Sequence, residues 1–228
     1  MDVTSNKGRT VVKVVLPHMN FHGGGDAELE VRVPNQSEVQ ANAVSADVET
    51  QKLTGMQRLQ TVSGELRAEL STSDFQAKTV SGDMRLHGGS QPINIRVSSV
   101  SGNIILDRGA GDIDAETVSG ELRLDMDPAR GVRMHSTSGD LVFRGSLMDN
   151  STLEAETVSG DVNLRPRAKG GIEYEASAFS GDISNCFGKA AEKTSKYGPG
   201  MRLMGTAGDG KSRVRVRSMS GDVDLCDR

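Results

Sequence analysis

The sequence predicts an all-β chain: a single-domain parallel β-solenoid of about nine or ten rungs, each 18 to 21 residues long. Three observations predict it. A Ser-Gly pair followed by Asp, Glu or Asn recurs eight times, its glycine at Gly64, Gly82, Gly102, Gly120, Gly139, Gly160, Gly181 and Gly221. Between these glycines, apolar and polar residues alternate with period two, the pattern of a strand with one buried face. Apolar spacing of i, i+3 and i+4 is missing over most of the chain, so helices do not compete.

The glycines are 18, 20, 18, 19, 21, 21 and 40 residues apart. A degenerate copy, Val44-Ser45-Ala46-Asp47-Val48, precedes Gly64 by 18 residues, and Gly25-Asp26-Ala27-Glu28-Leu29 reads as a further copy. Residues 1–10 read as a flexible tail. Residues 11–181 read as N-terminal strands and repeat rungs, and residues 182–228 as C-terminal rungs with a looped-out excursion and a cap.

One unit shows the grammar of all. In the segment from Leu153 to Leu164, Leu153, Ala155 and Thr157 alternate with charged residues. The parity then switches, and Val158, Gly160, Val162 and Leu164 form a second alternating set. A single parity switch between two strands marks a corner, placed here near Thr157-Val158. Ser159 and Asp161 then face outward. Val118, Leu122 and Leu124, and likewise Val80, Met84 and Leu86, repeat the second set.

Units this short cannot each hold a core, so they share one by stacking at about 4.8 Å per rung. An antiparallel sandwich would not need a motif that returns in register once per turn. Composition agrees with a narrow aliphatic interior: Trp is absent, and there are only 5 Phe and 2 Tyr. The 27 glycines and 6 prolines suit many tight turns between intact ladders. The net charge of -4 is dispersed, with no basic stripe and few aromatics, so nucleic acid is not an expected partner. No apolar run is long enough to span a membrane.

Val31-Arg32-Val33-Pro34, then Val44-Ser45-Ala46-Asp47-Val48 and the repeated Thr-Val-Ser-Gly-Asp/Glu, resemble the bacterial adhesin β-strand-repeat family, also called toast-rack domains. The likeness covers roughly residues 25 to 228. It implies a β-solenoid at the cell envelope, exported or tethered, without established catalysis or cofactor. It also implies an interaction, adhesion-like or envelope-stress-associated scaffold, whose partner would be an envelope protein or surface component. The segment Met1–Gly8 lacks the apolar stretch of the family's usual leader.

Cys186 and Cys226, the only cysteines, each lie five residues after a repeat glycine. Equivalent positions on adjacent rungs lie about 4.8 Å apart, within the 4.4–6.8 Å that a disulfide spans. Elsewhere the position holds Glu69, His87, Asp107, Asp125, Arg144 and Arg165, so it should face outward. A Cys186–Cys226 disulfide is therefore expected. It favours an oxidising compartment, the periplasm or cell surface, and an export leader in the native gene. The 40-residue interval before Gly221 must then loop out through Phe187–Gly210 without adding a rung between the cysteines. That excursion, with a hairpin, should cap the open end of the stack.

Glu65, Asp83, Glu121, Asp140, Asp161, Asp182 and Asp222 follow the repeat glycines, with Asn103 the neutral member. Like charges at rung spacing repel by roughly 0.9 kcal/mol per pair even in water. Either a bound calcium ion offsets this, or nearby Arg67, Arg85, Arg123, Arg144 and Arg165 and turn hydrogen bonds do. The second is the expectation, with no metal. His22-Gly23-Gly24-Gly25 looks like an oxyanion strand, but no Gly-x-Ser-x-Gly elbow accompanies it. His18 and His22 lack the helical context of a metal pair. A carbohydrate-active β-helix enzyme would need acids converging at a break in the repeat, whereas these are spread one per rung. A non-catalytic scaffold is the reading. A cytosolic polymerising solenoid is the alternative; it requires reduced cysteines and uncapped ends.

Overall fold

The computed structural model describes residues 2–6, 8–14, 28–195 and 199–226. The chain divides into two compact units, Met1–Val33 and Pro34–Arg228. In the first, β1 (Asp2–Asn6) and β2 (Arg9–Lys13) form an antiparallel hairpin with Ser5 opposite Thr10. Residues 1–10, read as a tail, thus contain a strand and a turn, which Gly8 makes with φ 82°. The repeat copy read at residues 25–29 falls largely outside the described residues, as do His18 and His22.

The second unit is the solenoid, and it is all β. Its early rungs each comprise a strand before the Ser-Gly corner and a shorter one after it: β3 (Val39–Ser45) and β4 (Val48–Thr50), β5 (Gln57–Ser63) and β6 (Leu66–Glu69), β7 (Phe75–Ser81) and β8 (Met84–His87). Next comes β9 (Ile93–Ser101). Three long strands follow, β10 (Ile104–Ser119), β11 (Leu122–Ser138) and β12 (Leu141–Ser159). β10 and β11 run from one corner to the next through register shifts near Gly109 and Ala129. The chain ends with β13 (Val162–Ala168), β14 (Ile172–Ser180), β15 (Ile183–Asn185), β16 (Glu192–Lys193), β17 (Met201–Ala207), β18 (Ser212–Ser220) and β19 (Val223–Leu225).

Before the corner, the strands stack in parallel as β3, β5, β7, β9, then the later halves of β10, β11 and β12, then β18 and β14. This ladder is nine strands deep. After the corner the matching series is β4, β6, β8, the first halves of β10, β11 and β12, then β13, β19 and β15. The motif serines align along one edge, from Ser45 against Ser63 to Ser159 against Ser220 and Ser220 against Ser180.

Stack order and chain order part company at the end. β18–β19, last in the chain, lies between β12–β13 and β14–β15. The repeats of Gly181 and Gly221 are neighbours as expected, but in inverted order. On the far side of β14 runs β17, antiparallel, with Ala176 opposite Leu203, and β16 pairs in turn with β17. The excursion therefore covers the last edge of the stack, which would otherwise offer unpaired backbone groups. Phe187 stacks on Tyr174 with ring centroids 4.7 Å apart.

The interior is built of in-register aliphatic rows. Leu66, Met84, Ile104, Leu122, Leu141, Val162, Val223 and Ile183 face inward on successive levels behind the corner. Such ladders fill a narrow core with little aromatic volume.

The valines of the motif correct the expected parity. Thr157 is buried and Val158 is 44% exposed, and Val80 and Val118 are similarly exposed, whereas strict alternation places all three valines inside. The bend lies at Gly160–Asp161, between the end of β12 at Ser159 and the start of β13 at Val162, and not at Thr157-Val158. Gly160 has φ 141° there, so the two strands are not continuous and the valine lies on the convex side of the corner. One such residue stands on each level, in stack order Val44, Val62, Val80, Val100, Val118, Thr137, Val158, Met219 and Phe179.

Candidate functional site

The repeated corner is the most built feature of the surface, and its residue types follow from rung spacing. A Cβ on Gly120 would lie 2.4 Å from the Gly102 carbonyl oxygen, and one on Gly160 2.4 Å from that of Gly139. Only glycine permits this approach, and its φ of 125° and 141° at these two sites suits glycine alone. At the C-terminal end a Cβ on Gly181 would strike the Gly221 oxygen, and one on Gly221 the Gly160 oxygen. The glycine ladder follows the inverted order as well.

The acidic residue that follows caps the next rung. The Glu65 N–H donates to Asp47 Oδ1 (2.7 Å), and the Asn103 N–H to Asp83 Oδ1 (2.9 Å). The Glu121 N–H donates to Asn103 Oδ1, and the Asp161 N–H to Asp140 Oδ1, both at 2.9 Å. The Asp222 N–H donates to Asp161 Oδ1, and the Asp182 N–H to Asp222 Oδ1, both at 2.8 Å. Asp and Asn have the reach for this bond, and Asn103 works without charge. Glu65 and Glu121, one methylene longer, do not make it. Glu65 instead meets Arg67 and Arg85.

The arginines offset the ladder only in part. Arg85 also lies 3.4 Å from Asp83. Arg123, expected beside Glu121, lies 3.8 Å from Asp125, and Arg165 lies 2.6 Å from Asp224. Four of the seven acids, Asp83, Asp140, Asp161 and Asp222, accept a backbone N–H of the next rung. Among the described residues, no group of three or more His, Cys, Asp or Glu side chains is disposed to hold a metal ion. His87 Nε2 is 2.6 Å from the Arg108 guanidinium.

Cys186 and Cys226 form a disulfide across adjacent rungs, with Cα atoms 5.1 Å apart. Both are half-buried. The Cys226 N–H donates to the Leu164 carbonyl, so Cys226 lies between the levels of Arg165 and Cys186.

A second ladder, not anticipated from the repeat, crosses the outer face of the pre-corner strands. Arg96, Asp114, Arg133, Glu154, Arg215 and Glu175 occupy successive levels with alternating sign. Neighbours stand 3.5 to 4.0 Å apart along the whole run. Arg202 ends it, 2.8 Å from Glu175, and holds that carboxyl below the usual carboxylate range against the opposing effect of burial. At Gly131, where a side chain is missing, an open groove of about 520 Å³ includes Asp112, Asp114, Arg133 and Glu154 in its walls. Asp112 is held by Arg130, whose Nε lies 2.7 Å away. The groove presents ion pairs of mixed sign to whatever approaches it.

A stack of in-register rungs, closed at its last edge by an antiparallel strand and joined there by a disulfide, defines a parallel β-solenoid repeat protein. The chain belongs to the Toastrack DUF4097 family, whose model matches residues 1–146 and again residues 129–226. The two matches overlap over about one repeat, as a periodic chain allows. No curated protein and no solved structure matches it.

Proposed function

We propose that this chain is a non-catalytic scaffold of the cell envelope, exported to the periplasm or cell surface, where it engages an envelope protein or surface component. The disulfide carries the reading. Two half-buried cysteines are bonded at the level where the chain re-enters the stack, and such a bond persists in oxidising compartments. The motif acids support the non-catalytic half. Most accept backbone N–H groups of the next rung, a structural use repeated at level after level. Adhesion and envelope-stress roles are finer versions of this reading, and they share the same first test.

That test is fractionation of cells expressing the native gene, with alkylation of free thiols before lysis. The proposal expects the protein in the envelope fraction, with Cys186 and Cys226 alkylated only after reduction. A soluble cytosolic protein with both thiols free would overturn it in favour of the cytosolic scaffold.

A further inference from the structure

The corner residues form an apolar stripe that no part of the core uses. From Val44 to Phe179 it rises one side chain per level, interrupted only by Thr137. At strand spacing it is about 38 Å long. Its eight apolar members are between 44% and 71% exposed. Singly exposed apolar residues are ordinary, but a contiguous line of them marks an interaction surface.

We infer that the stripe is the interface of a homodimer, in which two copies pack stripe against stripe in antiparallel directions about a two-fold axis at Val118. Three features of the stripe select this occupant. The first is period. A row of apolar groups repeating at rung spacing is met in register by another row of the same repeat, and the stripe of a second copy has it. The second is area. Eight apolar side chains, each 44% to 71% exposed, line up over nine levels, the kind of area on which a standard interface of roughly 800 Å² per partner draws.

The third is taper and charge. The two bulkiest members, Met219 and Phe179, occupy the last two levels, while the first levels carry Val44 and Val62. Antiparallel pairing sets Phe179 against Val44 and Met219 against Val62, which evens the width of the interface. A parallel pair would gather all the bulk at one end. Two residues before each stripe member, on the same outward face, lies a polar row. In the antiparallel register Val80 meets Val158, so Lys78 of each copy approaches Glu156 of the other. This reciprocity is what an isologous contact requires. Glu116 meets its own symmetry mate on the axis, and the two reciprocal Lys78–Glu156 pairs, one on each side of it, offset that like-charge contact. The inference does not depend on the compartment in which the protein resides.

The test uses the full chain with its native disulfide intact. Sedimentation over a range of concentrations should give a dimer. Val118→Lys, at an exposed site, should give a monomer that keeps the β-sheet circular dichroism of the parent and unfolds cooperatively, with a melting temperature that no longer depends on concentration. A short bis-maleimide should cross-link the Val118→Cys variant to itself. It should not cross-link Val44→Cys to itself, but should join Val44→Cys to Phe179→Cys when the two variants are mixed. A monomer at every concentration overturns the inference; if that monomer floats with lipid vesicles, the stripe belongs to a membrane surface. A dimer insensitive to Val118→Lys, or one in which Val44→Cys self-links, overturns it equally.

Discussion

Arg215 stands between Glu154 and Glu175, 3.9 Å from the first and 3.5 Å from the second. In chain order no basic rung separates those glutamates; in the stack one does. The flanking contacts repeat the logic, with Arg217 3.0 Å from Glu156 and Arg213 3.2 Å from Glu173. A strand reading Arg-x-Arg-x-Arg fits between two strands reading Glu-x-Glu. Without it, Glu154 and Glu175 would face each other as like charges, which is destabilising across a strand pair. Each exposed ion pair contributes at most about 1 kcal/mol. Their sum across three positions selects the slot, and the apolar ladder of Val214 and Val216 fills it.

Acid should weaken this end of the stack. Arg202, and to a smaller extent Arg215, hold the Glu175 carboxyl low, so the folded state binds its proton more weakly than the unfolded state does. A group depressed in this way stabilises above its unfolded pKa, and the contribution disappears as pH falls through the folded value. The stability difference between the parent and a Glu175→Gln variant should therefore be largest near neutrality. It should shrink as the pH falls from about 5 through the carboxylate range. Urea denaturation at several pH values measures it. A difference independent of pH would contradict the account.

The glycine ladder should tolerate no side chain. Gly120→Ala forces a Cβ against the Gly102 carbonyl at a φ of 125°, and should cost at least about 2 kcal/mol. Gly89→Ala meets nothing closer than 3.9 Å and should shift stability by no more than about 0.5 kcal/mol. Denaturation midpoints of the two variants decide. Equal midpoints would mean that rung approach does not explain the motif.

Inside and outside of the corner should differ sharply. Leu122 and Leu164 are fully buried, and replacing either by Ala should cost about 2–5 kcal/mol. Val158→Ala, at a half-exposed site, should cost less than about 1 kcal/mol as a monomer. Calorimetry of the three variants separates an outward Val158 from the inward valine that strict alternation suggests. A Val158→Ala cost as large as that of either leucine variant would place the valine in the core.

The acid ladder should act through hydrogen bonds more than through cations. Asp161→Ala removes the acceptor of the Asp222 N–H and should cost about 1 kcal/mol. Glu121→Ala, which removes no such bond, should cost less. Chelation should move the melting temperature little in the parent. A large fall that added calcium reverses would make the ladder a cation site.

Much of this fold is legible in the sequence. Period-two patterns give the strands, the Ser-Gly return gives the register, and offset five gives the disulfide. The corner valine misleads because alternation carries on numerically through Val158, Gly160 and Val162 while the backbone does not. A positive φ at Gly160 breaks the strand there, and period alone cannot report a dihedral angle. The inverted end escapes sequence reasoning for another reason. Counting repeats numbers them along the chain, but the stack is ordered by which faces fit. The signal lies in Arg213, Arg215 and Arg217 set against Glu154, Glu156, Glu173 and Glu175, and it needs comparison of strands that are not sequential. The alternating ladder from Arg96 to Glu175 is hidden in the same way, because each member looks like an ordinary exposed charge within its own strand.

The inserted C-terminal rung is the central claim, and disulfide competition tests it most directly. Arg165 holds the position equivalent to both cysteines, and the stack sets the order Arg165, Cys226, Cys186. Adjacent levels fall within disulfide reach, whereas levels two apart, about 9.6 Å, do not. Arg165→Cys combined with Cys186→Ser should therefore yield a bond between positions 165 and 226. Arg165→Cys combined with Cys226→Ser should leave two free thiols. Peptide mapping of the oxidised variants reads both. The reverse result, a bond between 165 and 186 and none between 165 and 226, would mean that the rungs stack in chain order and would contradict the account.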